Sequence, residues 1–459
     1  MRPEPEEKEA VARHRRLLEL DIRHLWHPFT QMQVWPDDEP LIIERADGNY
    51  LVDDLGRRYL DGVSSLWVTV HGHRKREIDE AVRAQLERVA HSTLLGLSSV
   101  PAVELAAKLA SVAPAGLTRV FYSDSGATAV EIAVKMAYQY WRQKGRPEKR
   151  RFVALQEAYH GDTVGSVSVG GIDLFHATFH DLLFDVDRIP TPYEYRWAGP
   201  GECLEGCVRA AAELLERKGR EMAALVVEPL VQGAAGMLVQ PRGYLARLAE
   251  LCRRHEVLLI CDEVATGFGR TGTMFAVEQE GVRPDLMCVA KGLTGGYLPL
   301  AATLATDEIY SAFLGSVAEK RTFFHGHTYT GNPLACAAAL ANLELFEKER
   351  TLERMRPAMD ALAAELERVG ELAHVGEVRR RGMMVGVELV KDRRTKEEYP
   401  YGDRIGHRVC LTMRKRGIIL RPLGNVVVLM PPLSLTVEEA RHLGSTLREA
   451  IAEVTDRRE

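Results

Sequence analysis

Between residues 118 and 306, short apolar runs alternate with stretches of helical periodicity. TRVFYSD (118–124) has the length and β-branched and aromatic content of a strand, and GATAVEIAVKMAYQYW (126–141) continues as a helix. RFVALQEAYHGD (151–162) predicts a strand and its loop, and EMAALVVEPLV (221–231) predicts a further strand. YLARLAELCRRHE (244–256) repeats the 3.6-residue period and is followed by an apolar run, VLLICDEV (257–264). DLMCVAKG (285–292) and LPLAATLAT (298–306) add two more strands. Near-continuous apolar strands separated by amphipathic helices predict an α/β fold, a mostly parallel sheet with helices on both faces.

The pattern changes on either side. LIIERADGNYLVD (41–53) contains β-like pieces inside an irregular N-terminal arm, residues 1–75. After about residue 345, one long charged helix (343–370) precedes short β-like runs, MMVGVELV (383–390) and VVVLMPPL (426–433). The expected organisation is an arm over 1–75, a large domain over 76–345 and a smaller α+β domain over 346–459. The 459 residues exceed one small core, which agrees with more than one domain.

Composition narrows the class. The chain is 46% apolar and 27% charged with a formal net charge of −5, and it has no long basic run, so nucleic acid and anionic membranes are not expected partners. The opening MRPEPEEKEA lacks the apolar core of a signal peptide, and no run reaches the length of a membrane span. A cytoplasmic location is the expectation. The seven cysteines fit it: Cys203 and Cys207 lack a second pair for zinc, and Cys261, Cys288 and Cys336 lie in apolar context, so free thiols are expected. His71, His73, His325 and His327 give no metal-ligand spacing and are read as packing or hydrogen-bonding groups.

Two readings compete for LLICDEVATGFGRTG (258–272). GFGRTG matches a dinucleotide-binding loop, which would imply a nicotinamide-dependent dehydrogenase. Yet Asp262 and Glu263 directly precede it, where two carboxylates would repel a diphosphate, and TMFAVEQEG after it is too short for the helix such a loop needs. The alternative uses the strand ends. Asp262 ends one strand and Lys291 another, so both fall at the carboxyl edge of a parallel sheet, where ligands bind. A lysine between LMCVA and a glycine turn is partly desolvated, which favours the free amine nucleophile. Ser123, Asp124, Ser125, Gly126 and Ala127 join a strand to a helix and offer hydroxyl and amide donors to one phosphate. Tyr159 follows a strand at the same edge and can stack on a flat ring, with Val264 on the ring's other face. A phosphate cup, a stacking ring, an acid and a lysine together describe a pyridoxal phosphate site.

DEVATGFGRTG, AKGLTGG and HGHTYTGNPLACAAA (325–339) resemble the class III aminotransferases, enzymes of fold-type I that use pyridoxal 5'-phosphate. LWHPFTQM (25–32), DGVSSLWVTVHGH (61–73), YHGDTVGSVSVG (159–170) and RPLGNVVVLMPPL (421–433) resemble, within that family, the biotin-pathway branch that aminates 8-amino-7-oxononanoate. The resemblance implies that Lys291 carries the cofactor as a Schiff base and moves protons. It implies that Asp262 pairs with the pyridinium, Gly126 and Ala127 bind the phosphate, and Tyr159 and Val264 enclose the ring. His327 and Thr328 would reach the phosphate of the neighbouring subunit's cofactor, making the active unit a homodimer. Arg421 would pair with the substrate carboxylate, and Phe29, Leu66, Trp67, Tyr159 and Gly326 would complete the substrate site. Phe29 lacks the hydroxyl, and Leu66 the aromatic ring, that the branch taking its amino group from S-adenosylmethionine carries at these positions, so the resemblance leans to lysine as donor. A broad ω-aminotransferase and an aminomutase use the same lysine and acid and stay open at this point.

Overall fold

The computed structural model of the chain describes residues 5–456. Its centre is a seven-stranded sheet. In chain order the strands are β1 (Leu117–Ser123), β2 (Arg151–Leu155), β3 (Val186–Ile189), β4 (Met222–Val227), β5 (Leu258–Asp262), β6 (Leu286–Val289) and β7 (Ala301–Thr306). In space they lie β1-β7-β6-β5-β4-β2-β3. All neighbouring pairs are parallel except those of β7, which runs antiparallel to both β6 and β1. The mostly parallel sheet expected from the alternation is therefore present, and the apolar runs assigned to strands fall on its strands.

Every residue of β4, β5 and β6 is buried. Successive side chains point to opposite faces, so Leu259, Cys261, Met287 and Val289 join one core, and Leu258, Ile260, Leu286 and Cys288 another. The helix α1 (Gly126–Gln143) covers the second face with Ala129, Ile132, Ala133 and Ala137. Helices at Val100–Val112, Cys203–Lys218, Tyr244–Arg254 and Pro333–Lys348 cover the first. Both faces are dry, which is why the sequence shows unbroken apolar runs rather than alternation.

Beyond the large sheet, Val375–Arg381, Met384–Asp392, Val426–Leu429 and Arg421–Leu423 form an antiparallel sheet. A further small sheet links the arm to this region, because Ile418–Ile419 pairs in parallel with Arg58–Asp61. The single charged helix expected over 343–370 is instead three helices, Pro333–Lys348, Thr351–Arg354 and Arg356–Gly370. Arg350 adopts a left-handed φ of 50°, which ends the first helix, and Pro357 sits in the first turn of the last, where its missing N–H costs nothing. Amphipathic periodicity survives such a break, so the sequence pattern did not reveal it. All seven cysteines are buried and unpaired. No helix among the described residues is long and apolar enough to cross a membrane.

Candidate active site

The carboxyl edge of the sheet opens into a cavity of about 740 Å3. Five strand ends contribute to it. β1 leads into Asp124, Ser125, Gly126 and Ala127, and β2 leads into Tyr159 and His160. β4 ends before Glu228, β5 ends at Asp262, and β6 leads into Lys291. The acid and the lysine expected at one edge thus line one cavity.

Asp262 is nearly buried and fixed by two contacts. Its Oδ1 accepts the Val264 N–H at 3.0 Å, and its Oδ2 lies 2.7 Å from His160 Nδ1. A carboxylate only accepts, so Nδ1 carries the hydrogen, which leaves the other ring nitrogen, buried and unpartnered, without one in the neutral imidazole. His160 therefore holds the carboxylate's orientation.

Lys291 follows β6 with a φ of 44°, a left-handed conformation that a lysine adopts only at a cost of order 1–3 kcal/mol. Its Nζ lies 5.0 Å from the centroid of the Trp67 ring. Burial lowers the lysine pKa from its usual value, and Asp262 and Glu228 oppose that shift. Strain extends to the wall opposite: Ser64, Ser65 and Trp67 all have positive φ. The indole N–H of Trp67 is buried without a partner. Such clustering of strained backbone marks a segment over-determined by its surroundings.

The first turn of α1 presents backbone amides to the cavity. Ser125 is its N-cap, and the Ser125 hydroxyl takes the Thr128 N–H at 3.3 Å. The N–H groups of Gly126 and Ala127 have no intrahelical partner, as at every helix start, and both residues line the cavity. Gly126 cannot be enlarged, because an added Cβ would lie 2.6 Å from Val264 Cγ1. Gly161 is constrained further: its φ is +116°, and a Cβ there would lie 2.3 Å from the Cβ of Ala127. Gly161→Ala is expected to destabilise the chain by about 2 kcal/mol or more. A shift of the denaturant midpoint checks this, with unchanged slope as the sign that only stability moved.

Tyr159 is held from two sides. Its backbone N–H donates to Glu228 Oε1 at 3.0 Å, and its hydroxyl donates to Asp162 Oδ2 at 2.7 Å. Burial, reinforced by Asp162, raises the phenol pKa well above its usual value, so Tyr159 stays protonated. Glu228 is a functional candidate that the sequence reading missed. Its second oxygen accepts the Gly233 N–H at 2.8 Å, and burial pushes its pKa up to about 7. The available signal was EPLV immediately after an apolar strand, the same cue that singled out Asp262.

A second cavity, about 720 Å3, meets the first at Ala234, which lines both. Phe29 and Arg421 line it. The Arg421 guanidinium makes no ion pair or hydrogen bond among the described residues, and burial lowers its pKa. Phe29 packs edge-on against Phe175, with ring centroids 5.3 Å apart. The remaining candidates lie elsewhere. Leu66 is exposed and lines neither cavity. Gly326 and Thr328 are exposed, also outside both linings, and His327 Nδ1 lies 2.8 Å from Asp124 Oδ2. The GFGRTG loop offers no helix N-terminus: Ala276–Glu280 after it is a short 3-10 turn. Its Arg270 is fully buried and donates to Ser64 Oγ, Thr69 O and Pro431 O, which ties the strained arm to the C-terminal region.

This fold with a strand-end lysine and acid defines an aminotransferase of fold-type I, and the chain belongs to the class-III aminotransferases, whose family model matches residues 32–451. The adenosylmethionine-8-amino-7-oxononanoate aminotransferase of Nitratidesulfovibrio vulgaris is 60% identical over 97% of this chain and 83% of its own. The crystal structure of the enzyme of that name from Methanocaldococcus jannaschii is 48% identical, superposes with a TM-score of 0.92, and covers 96% of this chain and 99% of that one. An (S)-enantioselective omega-transaminase from Thermomicrobium roseum has the same TM-score of 0.92 at 39% identity, with 96% and 98% covered.

Proposed function

We propose that this chain binds pyridoxal 5'-phosphate and transfers an amino group to 8-amino-7-oxononanoate, giving 7,8-diaminononanoate for biotin biosynthesis in the cytoplasm. The observation that carries the reading is one cavity lined by Lys291, Asp262 and the free amides of Gly126 and Ala127, adjoining a second that contains an unpartnered Arg421. The donor set fits the cofactor: an amine for its aldehyde, an anion for its pyridinium, and amide donors for its phosphate. The names of the relatives support the acceptor.

When bound, the cofactor supplies an electron sink for the pair left when the α-proton departs. The chain's residues do the rest. Asp262, oriented by His160 and the Val264 amide, keeps negative charge beside the ring nitrogen and holds a proton there. Lys291, once displaced by the donor amine, is a neutral base at a pH where an exposed lysine is still charged, because burial lowers its pKa. Its amine would accept the proton from the donor carbon and hold it for return. Tyr159 would supply a stacking face for the ring and Val264 an apolar one. Trp67, beside the lysine, walls the cavity against water. Arg421 orients the acceptor through its carboxylate, a charge-assisted contact.

Arg421→Met is expected to raise KM for 8-amino-7-oxononanoate about 10- to 100-fold, the loss of one charge-assisted hydrogen-bonded contact, with a smaller change in kcat. Steady-state kinetics on the acceptor checks this.

Two donors are supported by different observations. The names of relatives such as that at 60% identity favour S-adenosylmethionine. Phe29, which lines the second cavity without a hydroxyl, favours lysine. Each donor is added separately to holoenzyme, and the true one bleaches the visible band of the bound aldehyde within a turnover. If neither does, the proposed reaction is wrong. The likeness to an omega-transaminase supports a second reading, a broader amine specificity. A panel of simple ketone acceptors separates it, since a dedicated enzyme turns over 8-amino-7-oxononanoate alone.

The active unit in this reading is a homodimer, with His327 and Thr328 serving the partner's site. Its support is apolar surface left open on one chain: Leu95 is 89% exposed and Phe324 79%, with Leu97, Val100 and Tyr329 also exposed.

A further inference from the structure

The GFGRTG loop borders a separate cavity that shares no lining residue with the catalytic one. It has a volume of about 410 Å3 and is lined by Arg242, Thr271, Gly272, Thr273, Gln279 and Arg381. Two guanidinium groups thus flank one small space with no carboxylate in its wall. Neither guanidinium makes an ion pair or hydrogen bond among the described residues, and the Nε of Arg381 is buried without a partner. The acids nearest in sequence are engaged elsewhere. Glu278 accepts the Phe275 N–H at 3.2 Å, and Glu280 accepts the N–H groups of Gly243 and Ala246 at 2.6 and 2.9 Å.

The hydroxyl groups of the cavity are set by Gln279. Its Nε2 donates to Thr271 O at 2.9 Å, to Thr271 Oγ1 at 3.2 Å and to Thr273 Oγ1 at 3.1 Å. Thr273 passes its own hydrogen to Phe275 O at 2.8 Å. Thr271 is only 4% exposed, its oxygen already accepts from Gln279, and its hydrogen has no acceptor among the described residues. The wall therefore presents two planar guanidinium forks and one hydroxyl donor, beside a single side-chain amide, that of Gln279, and no carboxylate. Two like charges around one pocket repel each other, and an anion between them turns that repulsion into attraction. Guanidinium forks match tetrahedral oxyanions through paired N–H bonds.

We propose that this cavity binds a phosphate-type oxyanion, free or carried by a small metabolite, through Arg242, Arg381 and the Thr271 hydroxyl. The site is distinct from the backbone amides at Gly126 and does not depend on the identity of the amino acceptor. Thr271 follows Arg270, whose guanidinium holds Ser64, Thr69 and Pro431, and the Arg270 carbonyl accepts the Met383 N–H at 2.8 Å. Occupancy therefore stiffens the joint between the glycine loop and the C-terminal sheet.

The test titrates inorganic phosphate, and separately glycerol phosphate, into holoenzyme in chloride buffer by calorimetry, with melting temperature followed in parallel. Saturable binding of either, with a rise in melting temperature, is expected. Arg242→Gln or Arg381→Gln should weaken it at least about tenfold and the double variant should abolish it, while aminotransferase activity stays unchanged. Binding of the ester alone assigns the site to a phosphorylated metabolite, and binding of phosphate assigns it to the free anion. Absence of saturable binding by both, or equal affinity in both single variants, overturns the proposal. The single variants carry the test if the double variant fails to fold.

Discussion

Lys291→Ala is expected to yield a folded chain that has lost multiple turnover by about 10⁴-fold or more. In the proposed mechanism two roles disappear with one side chain. The covalent tether is lost, so the visible band that a bound aldehyde owes to its lysine should vanish even when the cofactor still sits in the cavity. The base that moves the proton is lost as well, and no second group replaces it. Glu228, with a pKa near 7, is spent on the amides of Tyr159 and Gly233, and the Tyr159 phenol is pushed well above its usual range. The fold should survive, because the Lys291 amine makes no hydrogen bond among the described residues and the residue sits in a strained φ of 44° that alanine bears no worse. Rapid-quench kinetics of a single half-reaction checks the rate, and a thermal melt checks the fold. Multiple turnover at more than a few per cent of the parent rate would contradict the role of this residue.

Asp262→Asn is the second large effect. The amide is nearly isosteric and can still accept from Val264 N–H and meet His160, so the cavity and the cofactor's affinity should change little. The charge beside the ring nitrogen is gone. A neutral amide does not hold the proton there, and the electron pair released with the α-proton is stabilised less. Removing one preorganised electrostatic partner costs on the order of 10²–10³ in rate. The expected result is retained cofactor with a slowed half-reaction for both donor and acceptor. His160→Gln should reproduce a weaker form of it, since it frees the carboxylate to turn without removing its charge. An Asp262→Asn enzyme with an unaltered half-reaction rate would show that the acid does not act on the ring.

The residues of this site were unevenly legible. Asp262 and Lys291 could be read because a parallel strand announces its own end, and the ends of parallel strands share one edge. Ser125 and Gly126 could be read because a strand followed at once by a helix leaves amides unspent. The same rule covered Glu228, whose glutamate follows β4 directly, but a lone acid in a loop gave no reason to expect burial. Arg421 came from resemblance alone. Nothing in the local pattern says that a strand of the C-terminal sheet approaches Tyr159, 262 positions earlier in the chain, since such a pairing is set by how two sheets dock. The break at Arg350 was hidden for a different reason. A left-handed residue in a charged, helix-favouring stretch leaves the apolar period intact, and only Pro357 hinted at it. GFGRTG carries the dinucleotide fingerprint without its setting, which the preceding Asp262 and Glu263 already signalled; a Cβ at Gly267 would lie 2.8 Å from Glu263 O and one at Gly269 2.5 Å from Leu433 Cδ1, so these two glycines serve close packing.

The covalent assignment of Lys291 is tested most directly by reducing holoenzyme with borohydride and mapping the peptides by mass spectrometry. The account predicts a single phosphopyridoxyl adduct, on the lysine of the AKGLTGG segment, that donor amine added beforehand prevents. An adduct on any other lysine, or no adduct on a chain that retains its cofactor, would contradict it.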